Sequence, residues 1–260
     1  MSKISDAMYE IVEMDELAEK KTLIHQLHPL IKLIISILYI TLVVSYDKYD
    51  IIGLLPMLLY PAIVFYLSDL SIKTALKKMK YVLPVICFIG IFNPFFDHRA
   101  LININGIIIT GGIVSMITLI LKGIYALLAA FLLMATTGIE RICYAFRLLH
   151  VPSILVTQIL LVYRYIMVLM KEANAIMEAY SMRAPKEKGI RYRVWGSLLG
   201  QLLLRSLNRA ENLYDSMLLR GFKGEYYYGK EQELDRYDYG YLFLWLLILV
   251  GLRFLYIFLY

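Results

Sequence analysis

Residues 151–170 read VPSILVTQILLVYRYIMVLM, twenty residues whose one charge is Arg164. Taken alone the run could cross a bilayer, which needs roughly 20 mostly apolar residues. The flanking charges argue against it. If 151–170 and the shorter apolar run 194–204 both crossed, Lys171, Arg183, Lys186, Lys188, Arg191 and Arg193 would all lie outside. Cytoplasmic segments normally carry the excess of Lys and Arg. The run 194–204 is also apolar for only about three turns, too short to span. Residues 138–236 therefore read as cytoplasmic amphipathic helices at or under a membrane, with apolar residues at helical spacing interrupted by Arg and Lys.

Outside that region the chain is strongly apolar. Five stretches suit membrane spans: Leu30–Tyr46, Ile51–Leu67, Tyr81–Phe96, Ile107–Ala135 and Tyr239–Tyr260. The last is rich in Leu, Phe and Tyr, with Trp245 expected at interfacial depth. With the N-terminus inside, only Lys48 and Arg99 of the 27 Lys and Arg fall in outside loops, and Lys122 and Arg253 fall within spans. The inner segments take Lys20, Lys21, Lys32, Lys73, Lys77, Lys78, Lys80 and nearly every basic residue from Arg141 to Arg236. The chain is 60% hydrophobic, carries a net charge of +6 and has a mean hydropathy of +0.64. Soluble domains run nearer 45–50% apolar, so the excess must face lipid. The basic balance suits an anionic leaflet, and the long apolar runs exclude a nucleic-acid-binding module. The expected fold is all-α: an integral membrane protein of about five transmembrane helices. Residues 1–29 form a cytoplasmic segment, 30–135 a four-helix membrane region, 136–236 the cytoplasmic helices and 237–260 a C-terminal membrane helix. No cleavable leader is visible, and the first apolar run is expected to remain as an anchor.

The spans are informative for what they lack. None holds an Asp or Glu, the usual mark of an intramembrane ion path, which disfavours a lone transporter or channel. Cys87 and Cys143 do not suggest a disulfide scaffold. His25 and His28 are spaced for a metal, but an interfacial pair before the first span outranks that. His98 and His150 are isolated. The run GIIITGG at 106–112 superficially matches a phosphate loop, yet lacks the Lys and the Ser or Thr that reach the phosphates and Mg²⁺; small residues allowing close helix packing are the better reading. Lys122 reads as snorkelling or pairing with a partner chain. Asn93-Pro94 and Asp97-His98-Arg99 read as an outside turn, and Gly196-x-x-x-Gly200 as a close helix crossing. An enzyme with its site in 138–236 would need a nucleophile–base pair or metal ligands. The region offers His150, Cys143, Glu140, Glu172, Glu178, Glu211 and Asp215. Pairing of Glu172, Glu178 and Glu211 with bases three or four residues away is the plain explanation for those three. No catalytic, cofactor-binding or metal residues are assigned.

Two helix ends stand apart. Met182-Arg183-Ala184 and Leu219-Arg220-Gly221 each place an Arg in the last turn of a long helix, with Pro185 and Gly189 separating the first from a helix starting near Tyr192. Favourable contact with the helix dipole explains either end alone, but less well why both share an Arg-then-small ending. Arginine's planar fork suits anchoring at a protein interface.

The stretches ATTGIERICYAFRLLHVP, QILLVYRYIMVLMKEANAIMEAYSMRA and LLRSLNRAENLYDSMLLRGFKGE, with the early HPLIKLI of residues 28–34, resemble the transmembrane T component of energy-coupling factor (ECF) transporters, the CbiQ/EcfT family. SMRAPKEKGIRYRVWGSLLGQLLLR, YDKYD and IFNPFFD look like its cobalt type. The family motif is commonly Ala-Arg-Gly; here the first copy reads Met-Arg-Ala. The resemblance implies a non-catalytic coupling subunit in the cytoplasmic (inner) membrane. Arg183 and Arg220, with Met182, Ala184, Leu219 and Gly221, would dock on two ATPase subunits, possibly identical. Residues 136–236 would carry ATP-driven motion to a substrate-binding membrane S component of cobalt type. Nickel or a vitamin as cargo stays open, as does, less favoured, a membrane-embedded enzyme.

Overall fold

The computed structural model describes residues 3–96, 100–104, 107–185, 189–224 and 233–259. In chain order the elements are α1 (Lys3–Ala18), α2 (Leu23–Gln26), α3 (Pro29–Val44), a 3₁₀ turn (Leu55–Leu58), α4 (Leu59–Ser68), α5 (Ile72–Met79), α6 (Leu83–Ile91), α7 (Asn93–Phe96), β1 (Ala100–Ile104), β2 (Ile107–Thr110), α8 (Gly111–Thr137), α9 (Ile139–Leu148), α10 (Ser153–Arg183), α11 (Tyr192–Leu219) and α12 (Arg236–Leu259). Among the described residues the chain is all-α apart from the short antiparallel hairpin β1–β2. It forms two compact units: Glu16–Gly138 with Gln232–Tyr260, and Met1–Asp15 with Ile139–Glu231.

The first of these holds most of the apolar helices, α10 lying in the other. α3 starts at Pro29, whose missing N–H costs nothing in a first turn, and His28 Nδ1 accepts from Leu30 N–H at 3.3 Å. The expected second span, Ile51–Leu67, is helical only from Leu55. Pro56 and Pro61 confine it to the 3₁₀ turn and the ten-residue α4; Asp69, left-handed at φ +51, stops α4, and α5 departs at a 119° bend. The expected third span begins at Leu83, with Pro84 in its first turn. Asn93-Pro94, expected in an outside turn, instead opens α7; residues 97–99 lie outside the described residues. The expected fourth span gives Ile107–Thr110 to β2, as β-branched residues favour, and becomes helical from Gly111. Among the described residues, α8, α10 and Arg236–Phe254 of α12 are long and apolar enough to cross a membrane, the bent pair makes a possible fourth, and α3 and Leu83–Phe95 are shorter apolar helices. This set differs from the expected five, because prolines shorten two spans while α10, free of Gly and Pro, runs unbroken through 31 residues.

α8 is the central post, contacted by α3, α4, α6 and α7. At Gly123 an added Cβ would stand 2.9 Å from the Ile86 side chain, so α6 and α8 approach closely there and a larger residue would force Ile86 to move. Gly111 and Gly112 are buried, as the small-residue reading expects; Gly106 lies outside the described residues. Tyr39 packs on Tyr60 with ring centroids 4.4 Å apart, and Trp245 meets Tyr60 edge-on at 4.8 Å. Trp245 is thus a core residue and not the interfacial anchor expected. Cations close the helix ends. Buried Lys32 donates to Thr136 O in the last turn of α8 at 2.8 Å. Lys122 donates to Val44 O at 3.1 Å and to Tyr46 O, so it caps α3, where snorkelling or a partner chain was expected. Arg253 donates to Ser45 O at 3.3 Å.

At the start of α12, buried Asp238 accepts from His28 N–H at 2.8 Å and from Asp235 N–H at 3.0 Å. Asp238→Ala would leave two backbone donors without their acceptor and should cost about 1–3 kcal/mol, read as a lowered denaturation midpoint in detergent; an unchanged midpoint would show that water replaces the carboxylate.

Candidate functional site

The other unit is built on α9, α10 and α11. Residues 149–152 turn the chain between the first two: His150 takes φ +60 and Pro152 stands at the N-cap of α10. Cys143, Val156 and Leu160 bury against Ile139, Phe146 and Val151. Glu140 pairs with Arg164 at 3.2 Å, and Tyr163 OH donates to Asp15 Oδ1 at 2.5 Å.

α10 and α11 run antiparallel. Glu172 pairs with Arg205, while Leu161, Val162, Tyr165, Ile166 and Leu169 face Leu213, Tyr214 and Met217 across an apolar groove of about 450 Å³. The Glu172 pair is thus between helices, not along one helix as expected; Glu178 instead accepts from the Asn174 amide at 2.7 Å. α11 has no buried residue along its 28 residues. Its Gly196 and Gly200 have nothing within 4 Å of an added Cβ, so the close crossing expected from their spacing is not made among the described residues.

The antiparallel register places the two arginine ends at opposite extremes of the pair. Arg183 is the last residue of α10, beyond Glu172; Arg220 follows α11, beyond the groove. At about 1.5 Å per helical residue they stand roughly 35–40 Å apart. Both side chains are exposed. The apolar residue before each is among the most exposed in the chain: Met182 at 79% and Leu219 at 90%. The two ends nevertheless stop differently. Ala184 caps α10 at φ −126, its N–H bonded to Tyr180 O, and Pro185 follows. At the other end Gly221 takes φ +81; Gly221 N–H bonds Leu218 O and Phe222 N–H bonds Met217 O, both at 2.9 Å. That double bond pattern with a left-handed glycine is a Schellman stop. Phe222 then returns to line the groove beside Met217. Sequence reading missed Phe222, although an apolar residue directly after a C-terminal glycine is the signal for this lock.

The histidines are engaged locally. His25 is buried; its Nε2 donates to Leu17 O at 3.0 Å and its Nδ1 accepts from Thr22 Oγ1 at 2.6 Å. His28 Nδ1 serves α3, and His150 is exposed. His98 lies outside the described residues. Among the described residues no group of three or more His, Cys, Asp or Glu is placed to hold a metal, and both cysteines are free.

These features define a helical integral membrane protein that carries an exposed antiparallel helix pair. The chain belongs to the CbiQ family of cobalt transport proteins, whose model matches residues 20–230. It is 28% identical over 192 residues to an uncharacterized protein of Methanocaldococcus jannaschii, covering 69% of this chain, and 32% identical over 91 residues to the nickel permease LarQ of Lactiplantibacillus plantarum, covering 35%. The matched regions span 65% of the archaeal relative's length and 33% of LarQ's.

Burial lowers the His25 pKa below its ordinary value, with Lys32 and Lys20 adding to the effect. The unfolded chain therefore binds this proton more readily than the folded one. The stability tied to neutral His25 should be full above about pH 6.5 and fall as pH drops below it. Denaturation midpoints in detergent at pH 7.5 and 5.5 should show the loss, and His25→Gln should reduce it; an identical loss in the variant would place its origin elsewhere.

Proposed function

We propose that this chain is the transmembrane coupling subunit of an ECF-type ATP-driven importer in the cytoplasmic membrane, with its N-terminus inside. Arg183 and Arg220 dock on two ATPase subunits, and residues 136–236 relay their motion to a substrate-binding membrane subunit. The observation that carries this reading is the pair of exposed Met-Arg and Leu-Arg ends at opposite extremes of α10–α11. A single ATPase-facing site would need one such end; two ends roughly 35–40 Å apart, from the helical rise of about 1.5 Å per residue, suit two docking partners. An exposed apolar residue beside an arginine is a common anchor composition at protein interfaces. Ala184 and Gly221, small and terminal, let a partner surface approach the guanidinium.

Closure of the ATPase pair would shift the two ends relative to each other. The Glu172–Arg205 pair and the Phe222–Met217 lock tie each end to the body of the pair, so the displacement travels along α10 and α11. Family membership supports cobalt as cargo. The LarQ match favours nickel as a second reading. Uptake of radiolabelled cobalt against nickel by cells whose transport depends on this chain separates the two.

Arg183→Ala and Arg220→Ala should each cut ATPase association or metal uptake by at least tenfold, the effect of about 1.4 kcal/mol, with membrane insertion unchanged. Lys at either position should rescue partly, because a point charge does not reproduce the guanidinium fork. Normal uptake in the double Ala variant would overturn the docking role. Full rescue by Lys would reduce the arginines to helix-end charges.

A further inference from the structure

We infer that α5 is a binding site for anionic phospholipid headgroups, a role that stands whether or not the ATPase reading holds. Two observations place α5 at the membrane boundary. The apolar segment Leu55–Ser68 ends at the left-handed Asp69, and α5 leaves it at a bend of 119°. With α4 set across the bilayer, α5 lies closer to the membrane plane than to its normal. Its faces are also sharply divided. Ala75 and Met79 are buried, toward the protein, while Lys73, Lys77 and Lys80 are exposed.

Helical spacing fixes how those lysines stand. Lys80 keeps helical geometry as the C-cap, so 73, 77 and 80 fall at i, i+4 and i+7 on one stripe. That stripe lies opposite the buried Ala75–Met79 face. Ile72 and Leu76, exposed at 57% and 49%, flank it. Lys78, half-buried, lies off the stripe. Lys20, itself exposed, donates to Asp69 O at 3.0 Å and brings a further cation to the start of α5. No Asp or Glu occurs between Asp69 and Asp97.

Three like charges one turn apart repel one another, and α5 itself holds no acidic residue to offset them; Asp69, ahead of the helix, is the one acid on its flanks before Asp97. An anionic surface offsets them. On a helix bent away from α4 toward the membrane plane, the exposed Ile72 and Leu76 favour a lipid surface: an in-plane helix sets such residues at the acyl boundary and its lysines among headgroups. Tyr81, exposed at 74% directly after the helix, is a residue type enriched at that depth. The chemistry recognised is a phosphodiester headgroup with net negative charge, bound through long lysine stems that reach from an apolar flank.

The test uses the full chain in nanodiscs of mixed phosphatidylcholine and phosphatidylglycerol, with spin-labelled forms of each reporting lipid immobilised on the protein. The wild type should prefer phosphatidylglycerol on the order of fivefold, a preference screened at about 1 M salt. The triple variant Lys73→Gln, Lys77→Gln, Lys80→Gln should lose most of it, while the triple Lys→Arg variant retains it. Lys48→Gln, in another loop, should leave it unchanged. Correct insertion of the Gln variant with wild-type preference would overturn the proposal. So would loss of a co-purifying soluble protein at unchanged lipid preference, which assigns the stripe to that protein. Should the triple variant insert poorly, single Lys77→Gln decides: a reduced preference supports the site, and an unchanged one overturns it.

Discussion

An α-helix leaves its last four carbonyls without partners, and in a bilayer no water reaches them. How this chain meets that demand shapes the unit that holds α3, α8 and α12. Lys32 reaches the last turn of α8, Lys122 the last turn of α3 and the loop behind it, and Arg253 the residue that caps α3. Each cation also sits at the negative end of a helix dipole. Each comes from a different helix than the one it closes, so capping and tertiary packing are one event. α3, too short on its own to be a typical span, is thereby tied at its C-terminal end to α8 and α12. Asp238 ties its N-terminal end to the start of α12.

The other unit uses its charges in the opposite way. Glu140 and Glu172 each hold an arginine of a neighbouring helix, which sets α9 against α10 and α10 against α11. At the two far ends Arg183 and Arg220 stay exposed, beside exposed Met182 and Leu219. α10 has no glycine or proline along its length, so it has no built-in point of bending. A stiff helix with a free, adhesive end is suited to the proposed transfer of displacement. The Schellman lock at Gly221 gives α11 an end of equally fixed direction.

Much of this was legible from local pattern. Pro185 and Gly189 bracket the gap between α10 and α11, Gly221 closes α11, and the all-α membrane class followed from composition. The arginine ends were found because helix periodicity and stop signals share one reading frame. What escaped depends on contacts between residues far apart in the chain. Lys122 meets Val44 across 78 positions, and Arg205 meets Glu172 across 33. No local spacing encodes either. Pro56 and Pro61 were visible, but only the backbone at Asp69 shows that the helix following the second apolar run departs at 119°. The hydropathy of α10 likewise leaves its relation to the bilayer to charge asymmetry, since by length and composition it is as long as a span.

In the proposed coupling mechanism one copy of this chain engages two ATPase subunits at once, one at each end of α10–α11. With Cys87 and Cys143 replaced, cysteines at 182 and 219 in a single chain, joined to the purified complex by a short bifunctional cross-linker, test it directly. Simultaneous docking gives a product containing one copy of this chain and two ATPase subunits, with either cysteine alone giving a one-to-one product. Cross-linking of only one position to an ATPase, or of neither, would contradict it.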